Sequence, residues 1–378
     1  MKKALGQALS RTRAWLAASR TYPIGLHMGK QRLNLVQMRE AGGQPAIRVA
    51  AALDYGCPLG EILASPKRLK ALIKRAFAGQ PFKGRRVVAC MPADQVRIQQ
   101  LNYTVAEGES DAQAIVRELS QRTKGNLDGT VVDFLRVRAE DDSGPQREAI
   151  VATAARDQVR AYLDSLSGAG LEVDALDIGP IALQRVVSWI RSPDKEFPPN
   201  LLVINFGSVA SYLMVVWGRR LMLDRGIDFA EQRLFAIVEK QLDMSKGEAK
   251  RLLLAHGFAT TAASAEANDI GRTLREVLRA EFAALTAEVN KTLIYTASKT
   301  RGRTVDKIFL LGSVARYPGI AGLLGDLLSM PVEVLDPFSI FPHRLKHEQV
   351  ARLTPQYGVA VAAGLALRNV RQAWPNST

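Results

Sequence analysis

Cysteine and histidine are scarce in this chain. Its 378 residues include two cysteines, Cys57 and Cys90, and four histidines, His27, His256, His343 and His347. Two cysteines cannot build a disulfide framework in a chain this size, and so few soft ligands argue against a metal cluster. Aromatic residues are few, at 6%, and no long apolar run is present. The longest candidate, residues 201–218 (LLVINFGSVASYLMVVWG), is interrupted by Gly207 and Ser208, with β-branched residues on either side. It reads as two strands and a tight turn, not as a spanning helix of about 20 residues. The first twenty residues lack the continuous apolar stretch of a signal peptide. Acidic residues are also short: 37 Asp and Glu stand against 51 Lys and Arg, a net charge of +14. That excess bears on partners (nucleic acid, anionic lipid or acidic protein) and not on fold. What remains is ordinary globular composition, 47% hydrophobic and 23% charged, which excludes a disordered or fibrous chain. Reduced cysteines and a sizeable core point to a cytosolic context.

Hydrophobic periodicity divides the chain. In residues 1–20, Leu5, Leu9, Trp15 and Leu16 recur near helical spacing among Lys2, Lys3, Arg11, Arg13 and Arg20. This basic amphipathic segment reads either as a contact for an anionic membrane or acidic partner, or as a solvated tail. Strands are expected at 22–28, 33–39 and 46–53, a helix at 66–78 and a strand at 85–91. Residues 96–170 alternate: strand 96–103, helix 112–121, strands 130–138 and 148–154 around a turn at 140–145, and helix 157–166. This block reads as an inserted α+β subdomain. A strand at 171–176 and a helix at 181–190 follow, and SPDKEFPPN at 192–200 reads as a linker. Beyond it come strands 201–206 and 212–217, a helix at 231–242, one long helical stretch over 266–298, strand 307–311, helix 319–328, strand 332–335 and a closing helix over 357–368.

Each half opens the same way, with an apolar strand, a glycine turn and a second strand: IGLHMGKQRLNLVQM at 24–38 and LLVINFGSVASYLMVV at 201–216. A third glycine turn, FLLGSVARYPG at 309–319, precedes a helix. Two such hairpins facing each other, with a third turn beside them, are suited to clamping a nucleotide between two lobes, because glycine turns bring backbone N–H groups against phosphate.

In this order the elements resemble the actin-like ATPase superfamily and, within it, the PilM group of type IV pilus assembly proteins, including the related MSHA-pilus proteins. The resemblance begins near Tyr22 and covers nearly all of the chain after it. Residues 24–38 and 201–212 resemble the two phosphate hairpins, and 310–319 the adenosine-side turn. Residues 171–186 (LEVDALDIGPIALQRV) and 332–338 (VEVLDPF) resemble further family segments. The resemblance implies an actin-like, two-lobed α/β fold of the FtsA/PilM type, with mixed sheets and an inserted α+β subdomain. Its parts are a basic N-terminal segment (1–21), a first lobe in pieces (22–95, 171–191 and 336–378), the insertion (96–170) and a second lobe (200–335).

By the same resemblance the degenerate nucleotide positions are His27, Gly29, Lys30, Asn205, Gly207, Ser208, Gly312 and Ser313. Active members carry aspartates where this chain has His27 and Asn205, and those carboxylates would orient Mg²⁺ and its waters. Paired glycines after the second hairpin are replaced by Ala230 and Glu231. Further glycines of the adenosine turn are replaced by Ser313 and Val314. Phosphoryl transfer depends on positioning and on the metal. The expectation is therefore a non-catalytic scaffold with no ATP or Mg²⁺ cofactor and no metal. Its implied partner is the cytoplasmic N-terminal peptide of a PilN-like inner-membrane protein, docked between the first lobe and the insertion. This would place the chain in the cytoplasm, peripheral to the inner membrane.

Rival readings are an active ATPase of the same fold, a type II secretion L-like component and a nucleic-acid binder. The last has little support, because Arg85-Arg86 and Arg301/Arg303 lack interleaved aromatics. His343 and His347, four apart beside Glu348, have zinc-ligand spacing on a helix but read as a surface pair. His27 reads as a satisfied strand-end histidine, and Lys30 and Arg32 as a solvated turn.

Overall fold

The computed structural model describes residues 21–122, 127–137, 146–190, 198–260, 265–353 and 357–370. Three strands come first: β1 (Thr21–Met28), β2 (Arg32–Ala41) and β3 (Gln44–Asp54). Leu33 to Met38 of β2 are buried without a break, because both faces of this strand are covered by protein. Gly42 and Gly43 join β2 to β3 with φ of 61° and 77°, the backbone that a two-residue hairpin turn requires. The short helix α1 (Leu59–Leu63) and α2 (Pro66–Phe77) lead to β4 (Arg86–Cys90).

An insertion follows: β5 (Arg97–Thr104), α3 (Asp111–Arg122), β6 (Thr130–Val137), β7 (Gln146–Ala155) and α4 (Arg156–Gly168). The chain then returns through β8 (Glu172–Asp177) to α5 (Gly179–Val187). The second half holds β9 (Leu201–Phe206), β10 (Ser211–Trp217), β11 (Arg220–Ile227), α6 (Glu231–Leu242), α7 (Lys246–Ala255), α8 (Ala265–Val277) and α9 (Arg279–Lys299). It ends with β12 (Lys307–Gly312), α10 (Ile320–Leu328), β13 (Val332–Val334), α11 (Pro337–Ile340), α12 (His347–Leu353) and α13 (Tyr357–Ala366).

The strands form three sheets, in the orders β3-β2-β1-β4-β8, β11-β10-β9-β12-β13 and β5-β7-β6. The first two share one plan. In each, the first three strands of the order are antiparallel and the last three are parallel. The repeat seen in the two hairpins therefore extends over five strands on each side. The third sheet is wholly antiparallel. Its Leu101, Tyr103, Ala149 and Val151 pack on Ala114, Ile115 and Leu119 of α3, while Ile150 and Val137 face the core of the second sheet.

Helix α13 joins the halves. It arrives from the second half and lies on β1, β2 and α5, every residue from Gly358 to Ala366 being buried. A side chain on Gly25 would overlap the Ala362 carbonyl, and one on Gly364 the Ala182 carbonyl, so small residues set how close this helix sits.

One expectation needs correction. The stretch 266–298 is two helices: Leu278 (φ −100°, ψ 8°) ends one and caps the next. The periodicity runs through the break because Leu274, Leu278, Phe282, Leu285 and Val289 all face one core. Of the two histidines read as a surface pair, His343 is half-buried and His347 exposed. His343 forms a bridge with Ile47 and meets the edge of Phe338, whereas His347 opens α12. Strand β11 and helix α7 have no counterpart among the expected elements. The N-terminal segment, the 140–145 turn and most of the 192–200 linker lie outside the described residues.

Candidate functional site

The three glycine turns sit where β1, β9 and β12 end. In the first turn the Gly29 amide donates to the Arg32 carbonyl at 2.9 Å, so it is spent within the hairpin. Lys30 is exposed, and Arg32 pairs with Asp54. In the second turn Gly207 N donates to the Ser211 hydroxyl at 3.2 Å. A side chain on Gly207 would overlap the Ala210 carbonyl.

The second and third turns meet. Gly312 pairs with Phe206 in the parallel register, and Ser313 N donates to the Phe206 carbonyl at 2.8 Å. Gly312 has φ 92°, and its missing side chain leaves room for Phe206 O and the Asn205 amide oxygen. The structure thus brings Asn205, Gly207, Gly312 and Ser313 together at one edge. Ser208 is exposed beside them.

The N-terminus of α6 faces the same edge. A free helix N-terminus binds anions through its first amides. Here the Glu231 and Gln232 amides donate to the Gly207 and Ser208 carbonyls, both at 3.1 Å. Glu231 itself is buried. Its carboxylate accepts from the Tyr317 hydroxyl at 2.7 Å and from Arg316 at 3.4 Å. The position the resemblance assigns to a glycine thus carries a buried acidic side chain tied to Tyr317 and Arg316.

His27, Gly29 and Lys30 belong to the first turn, and among the described residues no hydrogen bond or ion pair joins them to the other two turns. The Tyr357 ring meets His27 edge-on, with centroids 5.6 Å apart. A side chain on Gly179 would overlap its hydroxyl. His27 Nδ1 lies 3.4 Å from Asn34 Nδ2, and Gly358 packs against both residues. Burial lowers the His27 pKa to about 4, so its imidazole is neutral at pH 7. Burial raises the Tyr357 phenol well above its ordinary range, and negative charge on Cys90, Asp224 or Tyr212 would raise it further. Asp224 of β11 makes no hydrogen bond or ion pair among the described residues, and burial pushes its carboxyl up to about 7.

Tyr357, Asn34 and Asp224 were not singled out by motif. Tyr357 reads in sequence as the first residue of a helix, and nothing local reveals that its ring faces His27 across the fold. Among the described residues no group of three or more His, Cys, Asp or Glu is placed to hold a metal ion.

Two sheets built on one plan, each led by a strand–glycine turn–strand, with a returning helix between them, define the actin-like class of fold. One solved structure shows the same fold. The PilM–PilN type IV pilus biogenesis complex matches with a TM-score of 0.68 and 22% identity, covering 93% of this chain and 99% of that one. The ethanolamine utilization protein EutJ from Carboxydothermus hydrogenoformans matches at TM-score 0.48 and 13% identity, covering 92% and 89%. No curated protein matches the chain. Residues 25–370 match the model of the family described as type IV pilus assembly protein PilM, and the chain belongs to that family.

Proposed function

We propose that this chain is a non-catalytic, actin-like scaffold of type IV pilus assembly. It would act by holding the cytoplasmic N-terminal peptide of a PilN-like membrane protein at the inner face of the inner membrane. Family membership and the likeness to a PilM–PilN complex support the partner. Among the described residues no helix is long and apolar enough to cross a membrane, so attachment through such a partner fits. An extended peptide of this kind binds by main-chain pairing and side-chain pockets. The inserted sheet has two edge strands, β5 and β6, each paired on one side only.

The observation that carries the non-catalytic reading is the Tyr357 ring packed on neutral His27, where the resemblance places a metal-orienting aspartate in active members. The donors agree with it, since the Gly29, Gly207, Ser313, Glu231 and Gln232 amides are all satisfied within the protein. These residues do not fit a Mg²⁺–nucleotide.

The test has two arms. A ligand that binds only the native state raises the melting temperature. Millimolar Mg·ATP is expected to leave it unchanged, whereas a synthetic peptide of the PilN-like protein's cytoplasmic N-terminus is expected to bind by calorimetry without nucleotide. A melting shift with Mg·ATP, or peptide binding that requires it, overturns the reading.

A further inference from the structure

The side of the first sheet that α2 covers is strongly basic. Helix α2 starts near the glycine turn, where β3 ends, and runs back toward the start of β4. Positive charge collects along it and in the loop that follows. Residues 66–86 contain Lys67, Arg68, Lys70, Lys74, Arg75, Lys83, Arg85 and Arg86, and no Asp or Glu. All eight side chains are exposed.

Helix α2 explains why. Leu69, Leu72, Ile73 and Ala76 form its buried stripe. At 100° per residue its five cations fall on the remaining arc of about 160°, a single outward face. Two cations of the patch have ion-pair partners: Arg68 pairs with Glu61 at 3.0 Å and Arg86 with Asp174 at 2.9 Å. Lys67, Lys70, Lys74, Arg75, Lys83 and Arg85 form no ion pair with the described residues.

The loop after the helix is fastened into the same surface. Phe77 and Phe82 stack with centroids 4.9 Å apart, and the Arg85 guanidinium lies 4.4 Å over the Phe77 ring. Gln37 then ties Lys83 to the start of the fold. Its amide donates to the Lys83 carbonyl at 2.7 Å and to the Tyr22 carbonyl at 3.1 Å, and Lys83 N donates back to it at 2.8 Å. Gln37 therefore bridges Tyr22 and the basic loop. The twenty residues before Thr21 bring five more cations and no acid, with Leu5, Leu9, Trp15 and Leu16 spaced among them.

We propose that the outward face of α2, continued by Lys83–Arg86, is a docking surface for an anionic phospholipid membrane. Charge complementarity carries the choice of occupant, and the chain's own continuity sharpens it. The patch has no outward aromatic on which a base would stack, which disfavours nucleic acid. It adjoins a segment whose sequence combines cations with apolar anchors, the composition of interfacial membrane segments. Basic residues near an anionic leaflet each contribute about fivefold in affinity, and several are needed for stable attachment. This surface is independent of the partner peptide proposed above.

The test is co-sedimentation of the full chain with vesicles of phosphatidylcholine, with and without about one-third phosphatidylglycerol. The expected result is binding to the anionic vesicles alone. Binding should weaken as salt rises from about 0.1 to 1 M, since the screening length falls from about 10 to about 3 Å. The variant K67Q/K70Q/K74Q/R75Q should lose at least tenfold in affinity, and K67R/K70R/K74R should retain it, both melting as the parent does. Equal binding to neutral vesicles overturns the proposal. So does wild-type binding by the Gln variant, or loss only when Lys2, Lys3, Arg11, Arg13 and Arg20 are changed to Gln. Tighter binding to duplex DNA than to the anionic vesicles assigns the surface to nucleic acid and overturns it as well.

Discussion

At the scale of single residues, the contact between Tyr357 and His27 is the most informative. Tyr357 is half-buried against the core, so removing its ring costs about 2–3 kcal/mol, less than for a fully buried aromatic. Tyr357→Ala is expected to lose stability on that scale in urea unfolding, whereas Tyr357→Phe, which keeps the ring, should lose less than about 1.5 kcal/mol. Neither variant should gain a Mg·ATP melting shift, since the turn amides remain bonded to the protein.

The two titrating groups near this contact act in opposite directions. His27 has its pKa lowered from 6.5 to about 4, so its contribution to stability is full above pH 6.5 and is lost as pH falls toward 4. Asp224 has its pKa raised from 3.8 to about 7, so its contribution is full below pH 3.8 and is lost as pH rises toward 7. Asp224→Asn should therefore stabilise the protein at pH 8, on the order of 1–2 kcal/mol once solvent screening is allowed for, and should do nothing at pH 3.5. Denaturant midpoints across that range measure it. The places of His27 and Asn205 near the ends of β1 and β9 were legible because the strand–turn–strand pattern locates them. Tyr357 and Asp224 were not, since each acts across a distance that no local pattern encodes.

At the scale of elements, α13 shows how small residues determine position. Ten residues, YGVAVAAGLA, lie against two strands and a helix at backbone range. Gly364→Ala would set a methyl group into the Ala182 carbonyl, and overpacking of this kind costs about 1–3 kcal/mol or more. Gly322→Ala, on a helix with open space around it, should cost nothing or stabilise slightly. Thermal unfolding of the pair separates tight packing from mere glycine content.

Most elements were legible because their period matches their burial. The expected helix at 231–242 coincides with α6, and the hairpin strands agree within two residues. Helix α7 was missed although Ser245 and Glu248 form a complete capping box, because Leu252, Leu253 and Leu254 run consecutively and hide its face. The break at Leu278 was invisible because one core receives both helices.

At the scale of the whole molecule, the inserted sheet is bonded to the second half as well as to the first. Glu148 of β7 accepts from the Tyr295 hydroxyl of α9 at 3.1 Å and pairs with Lys299 at 3.4 Å, and Gln100 of β5 donates to the same hydroxyl at 3.1 Å. Glu148→Leu should raise amide exchange in β5–β7 and the second half of α9 while leaving β1–β4 unchanged, at a cost of about 1–3 kcal/mol. Uniform exchange across all three sheets would show that the contact does not couple them.

The satisfied turns have a consequence for any attempt to build a nucleotide site at this edge. An aspartate placed at position 27 alone would set a carboxyl group against the Tyr357 ring. Removing Tyr357 alone would leave a void, with the Gly29, Gly207 and Ser313 amides still engaged. Each single change lowers stability before it frees an amide for phosphate. Redesign of the edge therefore runs uphill at every first step, and only changes made together would open it.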